Sequence, residues 1–236
     1  MPLTAFGEYV PGSVWVASYP VRMAGAAFEA RTALIRLGNG GLLVHSPGPL
    51  DDATCDEIAS IGPVRVIVAP GNFHHLHVAA CQRAFPGAET WICPGVERKQ
   101  PALRYDRVLG DEVPAFVAAE FDQLLVRGGR VMCEVAMLHR PSRTLLLVDV
   151  LENLTNATAG VNLLVRTLFK ALGMWNNPTP APEYRFAWRD GRAARESLER
   201  ILAWDFERIV ISHGDLINHH AKEVARRAWG TILALK

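Results

Sequence analysis

The sequence predicts an α/β fold. Short apolar segments of strand length alternate with helix-length segments, and Gly and Pro punctuate them. Half of the 236 residues are hydrophobic, enough to fill a packed core. No composition break divides the chain, so residues 1–236 are expected to form one domain.

The elements follow in order. Val14–Ala17, Thr32–Leu37 and Leu42–His45 read as strands. The last two flank Gly38-Asn39-Gly40-Gly41, a hairpin turn built from residues that accept positive φ. Asp51 or Asp52 caps a helix that runs to about Ile61, where Gly62-Pro63 stops it. Val64–Ala69 is nearly all apolar, as a strand in a sheet interior must be. A loop with three histidines follows, then a helix to Phe85, ended by Pro86-Gly87. Thr90–Cys93 is another strand. Val131–Leu138 and Thr144–Val150 form a hairpin around a turn containing Pro141. Val161–Leu172 is an amphipathic helix whose apolar stripe is expected to pack on the sheet. Trp175–Glu183, with three prolines, is a loop. Arg192–Trp204 is a helix, Arg208–Ser212 a buried strand and Ile217–Trp229 a final helix. Val64–His75 (VRVIVAPGNFHH) and Glu207–His220 (ERIVISHGDLINHH) echo one another, as in a fold with two similar halves.

Composition excludes several classes. The formal net charge is +1 with no basic run, so neither nucleic acid nor an anionic membrane is an expected partner. The four cysteines, Cys55, Cys81, Cys93 and Cys133, show no CxxC spacing. That argues against a disulfide framework or thiolate zinc site and fits a reducing, cytoplasmic location. The first nine residues carry no apolar signal-peptide core, and no apolar run approaches bilayer length. A nucleotide-binding GxGxxG and a serine-hydrolase GxSxG are both missing.

The histidines carry most of the functional signal. His74, His75 and His77 lie just past Val64–Ala69, and strand C-termini are where α/β folds place their chemistry. Were a helix to begin at once, His74 and His77, three apart, would share a face, as two ligands of one metal centre must. His139 ends a strand, Asp149 closes the apolar run Leu145–Val148, and His213 follows Ile209–Ser212. A buried acid needs a partner, and a cation is a natural one. One histidine at a strand end is commonly an ordinary hydrogen-bonded residue. Three separate strand ends carrying ligand-type residues point to a shared polar site.

In this order the segments resemble the metallo-β-lactamase superfamily over about Thr32 to Ile217. Asn72-Phe73-His74-His75-Leu76-His77 takes the place of the superfamily's HxHxDH motif. His139 takes its separate His, Asp149 its bridging Asp, and His213-Gly214 its final His-Gly. Leu43-Val44-His45-Ser46-Pro47-Gly48 lies where an Asp-Thr-Gly turn is usual. More narrowly, Val44-His45-Ser46-Pro47, Phe73-His74-His75-Leu76, His139-Arg140-Pro141-Ser142-Arg143-Thr144 and Ser212-His213-Gly214 resemble the uncharacterised DUF4336 branch. The resemblance implies a four-layer αββα sandwich with the site between sheet edges, mostly hydrolase activity, and zinc or iron.

The same resemblance makes His74, His77, His139, Asp149 and His213 the metal ligands, with His75 the alternative to His77. His74, His139 and Asp149 would form one three-ligand site, and His77, His213 and Asp149 a second. Two departures count against a full centre. Asn72 is a poorer zinc ligand than imidazole, and Leu76 can neither bind metal nor take a proton. The expectation is therefore at most one tightly held ion. The function expected is a metal-dependent hydrolase-like protein acting on a small ester or thioester. The alternative is a non-catalytic relative that has lost the ion and binds a small molecule or a protein.

Overall fold

The computed structural model describes residues 3–23 and 25–235. It contains two sheets. The first is built from β1 (Gly7–Val10), β2 (Val14–Met23), β3 (Ala26–Arg36), β4 (Leu42–His45), β5 (Val64–Ala69), β6 (Glu89–Ile92) and β7 (Arg107–Val108), side by side in chain order. β1 to β4 are antiparallel, whereas β4 to β7 run parallel. The helices α1 (Asp52–Ile61) and α2 (Val78–Ala84) make the crossovers that parallel pairing requires. Asp51 caps α1 by accepting a hydrogen bond from the Thr54 N–H, as its sequence signal predicts. A short helix, α3 (Val96–Lys99), follows β6.

The second sheet holds β8 (Phe121–Val126), β9 (Glu134–His139), β10 (Thr144–Leu146) and β11 (Arg208–Val210), in the order β11-β10-β9-β8. Strand alternation sorts its side chains onto two faces. Val135, Met137, Leu146 and Val210 join the core shared with the first sheet. Ala136, Leu138, Leu145 and Ile209 face the other way, against α6 (Gly191–Ala203), α7 (Ala221–Ala228) and α8 (Gly230–Leu233). On the first sheet, α1 and α2 contribute Ile58, Val78 and Cys81 to its core. The result is the expected four-layer αββα sandwich. Trp91 and Trp229 are fully buried in the two cores, and burial of such a side chain is worth about 2 kcal/mol or more.

Two further helices, α4 (Leu163–Ala171) and α5 (Pro182–Arg185), lie in the long connection from β10 to α6. α4 docks by Val165 and Phe169 on Ala26 and Phe28, while Leu163 and Leu164 on its other side stay exposed. The expected final helix over Ile217–Trp229 starts later, at Ala221. Ile217 exchanges backbone hydrogen bonds with Ile209, and His220 adopts a left-handed φ of 53° that a continuing helix forbids. Likewise no helix begins at His74. Residues 73–77 are turns, and His77 is the N-cap of α2. The first sheet is also larger than the sequence indicated. β2 and β3 pair over ten residues, to Met23 and Ala26.

Candidate metal centre

Three segments deliver side chains to one point. The turn after β5 brings His74, the stretch after β10 brings Asp149, and the loop after β11 brings His213. His74 Nε2 lies 3.3 Å from Asp149 Oδ1, and His213 Nε2 lies 3.4 Å from the same oxygen. All three ligand-type atoms fall within 4.8 Å of one another. The two strands that echo in sequence, β5 and β11, sit in different sheets, and each leads to one of these histidines.

Each ring is oriented from behind. Ser46 Oγ is 2.8 Å from His74 Nδ1, and the Glu29 carbonyl accepts from His213 Nδ1 at 2.9 Å. Both Nε2 atoms therefore face Asp149, the arrangement by which outer partners fix ligand histidines. Ser46 itself sits at φ 55°, and its backbone is held by Ser46 N–H to Val68 O and by Thr32 Oγ1 to Ser46 O. Arg31 on β3 donates to the carbonyls of Ile211 and Gly214, clamping the loop that carries His213 to the first sheet.

Gly214 has φ +94°, and a Cβ there would meet the Asn153 carbonyl oxygen at 2.1 Å. Only glycine satisfies both constraints. Gly214→Ala is expected to destabilise the protein by about 2–4 kcal/mol, read as a lower denaturation midpoint in urea. An unchanged midpoint would contradict this packing.

Electrostatics tie the cluster together. Burial alone would raise Asp149, but the adjacent His74 and His213 outweigh it and hold the carboxyl well below the usual range. Burial would lower His213, yet the Asp149 carboxylate raises it to about 9. A single anion thus faces two imidazoles in a buried setting, a donor set of borderline softness suited to a divalent transition ion.

Behind Asp149 stands Glu134, at the start of β9 and fully buried. Its carboxylate accepts the backbone N–H groups of Val148, Asp149 and Val150 at 2.7, 2.8 and 2.7 Å. Burial, with the Asp149 charge second, pushes Glu134 up to about 8 against the pull of those three donors. Glu134 fixes the segment that presents Asp149. Sequence reasoning missed it, because its position depends on the register of the hairpin. Extending the hairpin register Thr144↔His139, Leu145↔Leu138, Leu146↔Met137 by three residues puts Glu134 opposite Asp149.

That register also sets His139 apart from the group of His74, Asp149 and His213. His139 pairs with Thr144, at the turn end of the hairpin, while Asp149 lies five residues further along the chain, beyond the end of β10. His139 packs against Phe121 and hydrogen-bonds Ser142 Oγ at 2.7 Å through Nδ1. Neither His77 nor His75 reaches the cluster. The His77 ring lies edge-on to Tyr19, and His75 Nδ1 is 3.2 Å from Gln100 Nε2. Both line the adjoining cavity. One three-residue group therefore stands where the sequence reading drew two overlapping ones.

The two departures in the motif have separate physical outcomes. Asn72 is buried, and its amide bridges the Val131 carbonyl and the Cys133 N–H, joining the end of β5 to the chain just before β9. Leu76 is 69% exposed, turned to solvent. A cavity of about 450 Å³ opens over the cluster, walled by Tyr19, Val21, Phe28 and Met132, with Glu152 beside Asp149 and His213. Burial pushes Glu152 up to about 8.

Comparisons with known proteins agree with this architecture. The family described as "Domain of unknown function (DUF4336)" matches residues 11–174. Among solved structures, a metallo-β-lactamase from Pontibacter korlensis superposes with a TM-score of 0.67 at 13% identity, covering 99% of this chain and 100% of that one. The mono-zinc form of the metallo-β-lactamase FIM-1 from Pseudomonas aeruginosa gives 0.64 at 13% identity, covering 99% and 97%. A metallo-β-lactamase from Hirschia baltica gives 0.64 at 13% identity, covering all of both chains. At these identities the likeness is one of fold. A search of curated proteins found no match. Among the described residues no helix is long and apolar enough to cross a membrane.

Proposed function

This chain belongs to the DUF4336 family, and from that membership and its metallo-β-lactamase fold we propose that it is a metal-dependent, hydrolase-like protein holding one zinc or iron ion on His74, Asp149 and His213. The observation that carries the reading is the convergence of two oriented imidazole nitrogens on one buried carboxylate. Two histidines and a carboxylate leave coordination positions open, the pattern of catalytic rather than structural sites. The chemistry such an ion supplies is Lewis-acid polarisation of a carbonyl and a water acidified to a pKa of about 7.

The chain's own groups do the rest. Asp149 neutralises charge, and Glu134 holds its backbone still. Ser46 and the Glu29 carbonyl keep both rings aimed. Tyr19, Val21, Phe28 and Met132 shield the cavity wall from water and suit an apolar portion of a small ester or thioester. Leu76 contributes no carboxylate, so proton transfer falls to another group. The competing reading, a non-catalytic binder on the same fold, rests on that residue.

Protein purified without a histidine tag is expected to carry about one equivalent of zinc or iron by elemental analysis. Ser46→Ala should weaken that binding by about 10- to 100-fold, the usual effect of losing a partner behind a ligand histidine. Metal-free protein that takes up no added zinc, or two ions held tightly, would refute the assignment.

A further inference from the structure

Glu152 is buried, only 8% exposed, yet its Oε2 makes no hydrogen bond. It forms no ion pair with any described Lys, Arg or His. It lies outside the His74–Asp149–His213 group, so it is not placed as a fourth ligand. Its backbone is rigid: Glu152 and Thr179 exchange N–H to carbonyl bonds of 2.8 and 3.0 Å.

A buried carboxylate oxygen without a donor costs on the order of 1–3 kcal/mol, and one that lines a cavity is placed to recover this from a bound donor. Glu152 faces the cavity over the metal centre, and its neighbours there narrow what that partner is. Asp149 is already matched by two imidazoles. Glu183, exposed at the mouth, adds a second carboxylate of like charge. Among the described residues the sole Arg or Lys in the cavity wall, Arg22, is also exposed. Apart from His75 and His77, the remaining wall is apolar, with Tyr19, Val21, Phe28, Ala30 and Met132 among its residues. A ligand that satisfies this surface has a short hydrocarbon body and a cationic hydrogen-bond donor.

We infer that the cavity binds a small molecule carrying an ammonium group, with Glu152 receiving the ammonium and the apolar wall receiving its carbon chain. This deepens the reading of the site as a hydrolase centre by assigning its substrate class, an amine-bearing ester or thioester. Glu152 is thereby a specificity-determining residue.

The test uses n-butylammonium at about pH 9, above the value of about 8 to which burial pushes Glu152, with 1-butanol and butyrate as the neutral and anionic counterparts of similar size. Binding is followed by protein NMR titration, on the protein as purified and again after EDTA treatment. The ammonium is expected to bind at least 10-fold more tightly than either counterpart in both preparations, with shifts at residues around Glu152. Glu152→Gln should remove that preference while keeping its melting temperature, because the amide has the same shape. Glu183→Gln should change affinity less than 3-fold. Equal binding of ammonium and alcohol, or a preference that survives in Glu152→Gln, overturns the inference. Metal content measured on the same samples separates the two readings. An ammonium preference without metal uptake sinks only the metal assignment, and metal uptake without the preference sinks only this one.

Discussion

Replacing Asp149 by Ala is expected to lower bound metal from about one equivalent to below about 0.1 under conditions that saturate the wild type. Asp149 is the only anion among the three converging groups, and both imidazoles aim at its Oδ1. Its loss removes a ligand outright, a larger effect than the roughly 10- to 100-fold cost of losing a group behind a ligand. His74→Ala and His213→Ala should behave alike. His139→Ala and His77→Ala should keep full metal content, since neither reaches the cluster, and so should His219→Ala, which sits before α7. Retention of metal by Asp149→Ala, or its loss in His139→Ala with the fold intact, would contradict the assigned ligand set. Elemental analysis after exhaustive dialysis, with circular dichroism to verify folding, makes the measurement.

The second large effect is the acid sensitivity that two buried neutral histidines give the metal-free protein. Burial holds His45 neutral, with its pKa lowered to about 3, and the neighbouring His74 adds to this. Burial lowers His139 to about 4. Both have a buried Nε2 with no hydrogen-bond partner. In the unfolded chain each would titrate near 6.5. Between that value and the folded one, the unfolded state binds the extra proton. Stability is therefore fully present above about pH 6.5 and falls as pH drops toward 4. At about 1.4 kcal/mol per pH unit for each group, the pair should cost about 3–4 kcal/mol between pH 7 and pH 5. His213, raised to about 9, acts in the opposite window: its contribution is complete below about 6.5 and fades as pH rises through 9. It leaves the acid limb untouched. Glu134 and Glu152, however, both pushed up to about 8 by burial, take up a proton in the folded state first and gain stability as pH falls from 7 to 5. The histidine effect is therefore read as the difference between wild type and a histidine variant. Urea denaturation of EDTA-treated protein at several pH values measures the slope, and His139→Asn should reduce the acid loss by about 2 kcal/mol. Equal slopes for wild type and His139→Asn between pH 7 and 5 would mean that the His139 ring is not buried and neutral.

The fold was legible because its signals are local. β4 and β5 occur where their apolar runs predict, and Asp51 and Gly62 bound α1 as their conformational preferences dictate. The hairpin around Pro141 was readable too. Of the site, His74, Asp149 and His213 stood out as ligand-type residues after strand-forming segments, and the resemblance to a known superfamily put them in order. The helix predicted to start at His74 did not form. Residues 73–77 turn instead, which sends His77 against Tyr19.

What the chain by itself determined is therefore the alternation of elements, the class of fold and the pool of residues able to bind a metal. Which of them meet was decided by tertiary structure. Hairpin register sends His139 to one end of the second sheet and puts Glu134 beside Asp149 at the other. Pairing between sheets brings the Glu29 carbonyl and Arg31, nearly two hundred residues away in sequence, onto the loop of His213. Such contacts depend on how strands align and sheets stack, and a one-residue change in register would turn each side chain to the opposite face. Nothing in the local sequence around His139 or His213 encodes that alignment, which is why two histidines at similar strand ends have such different surroundings.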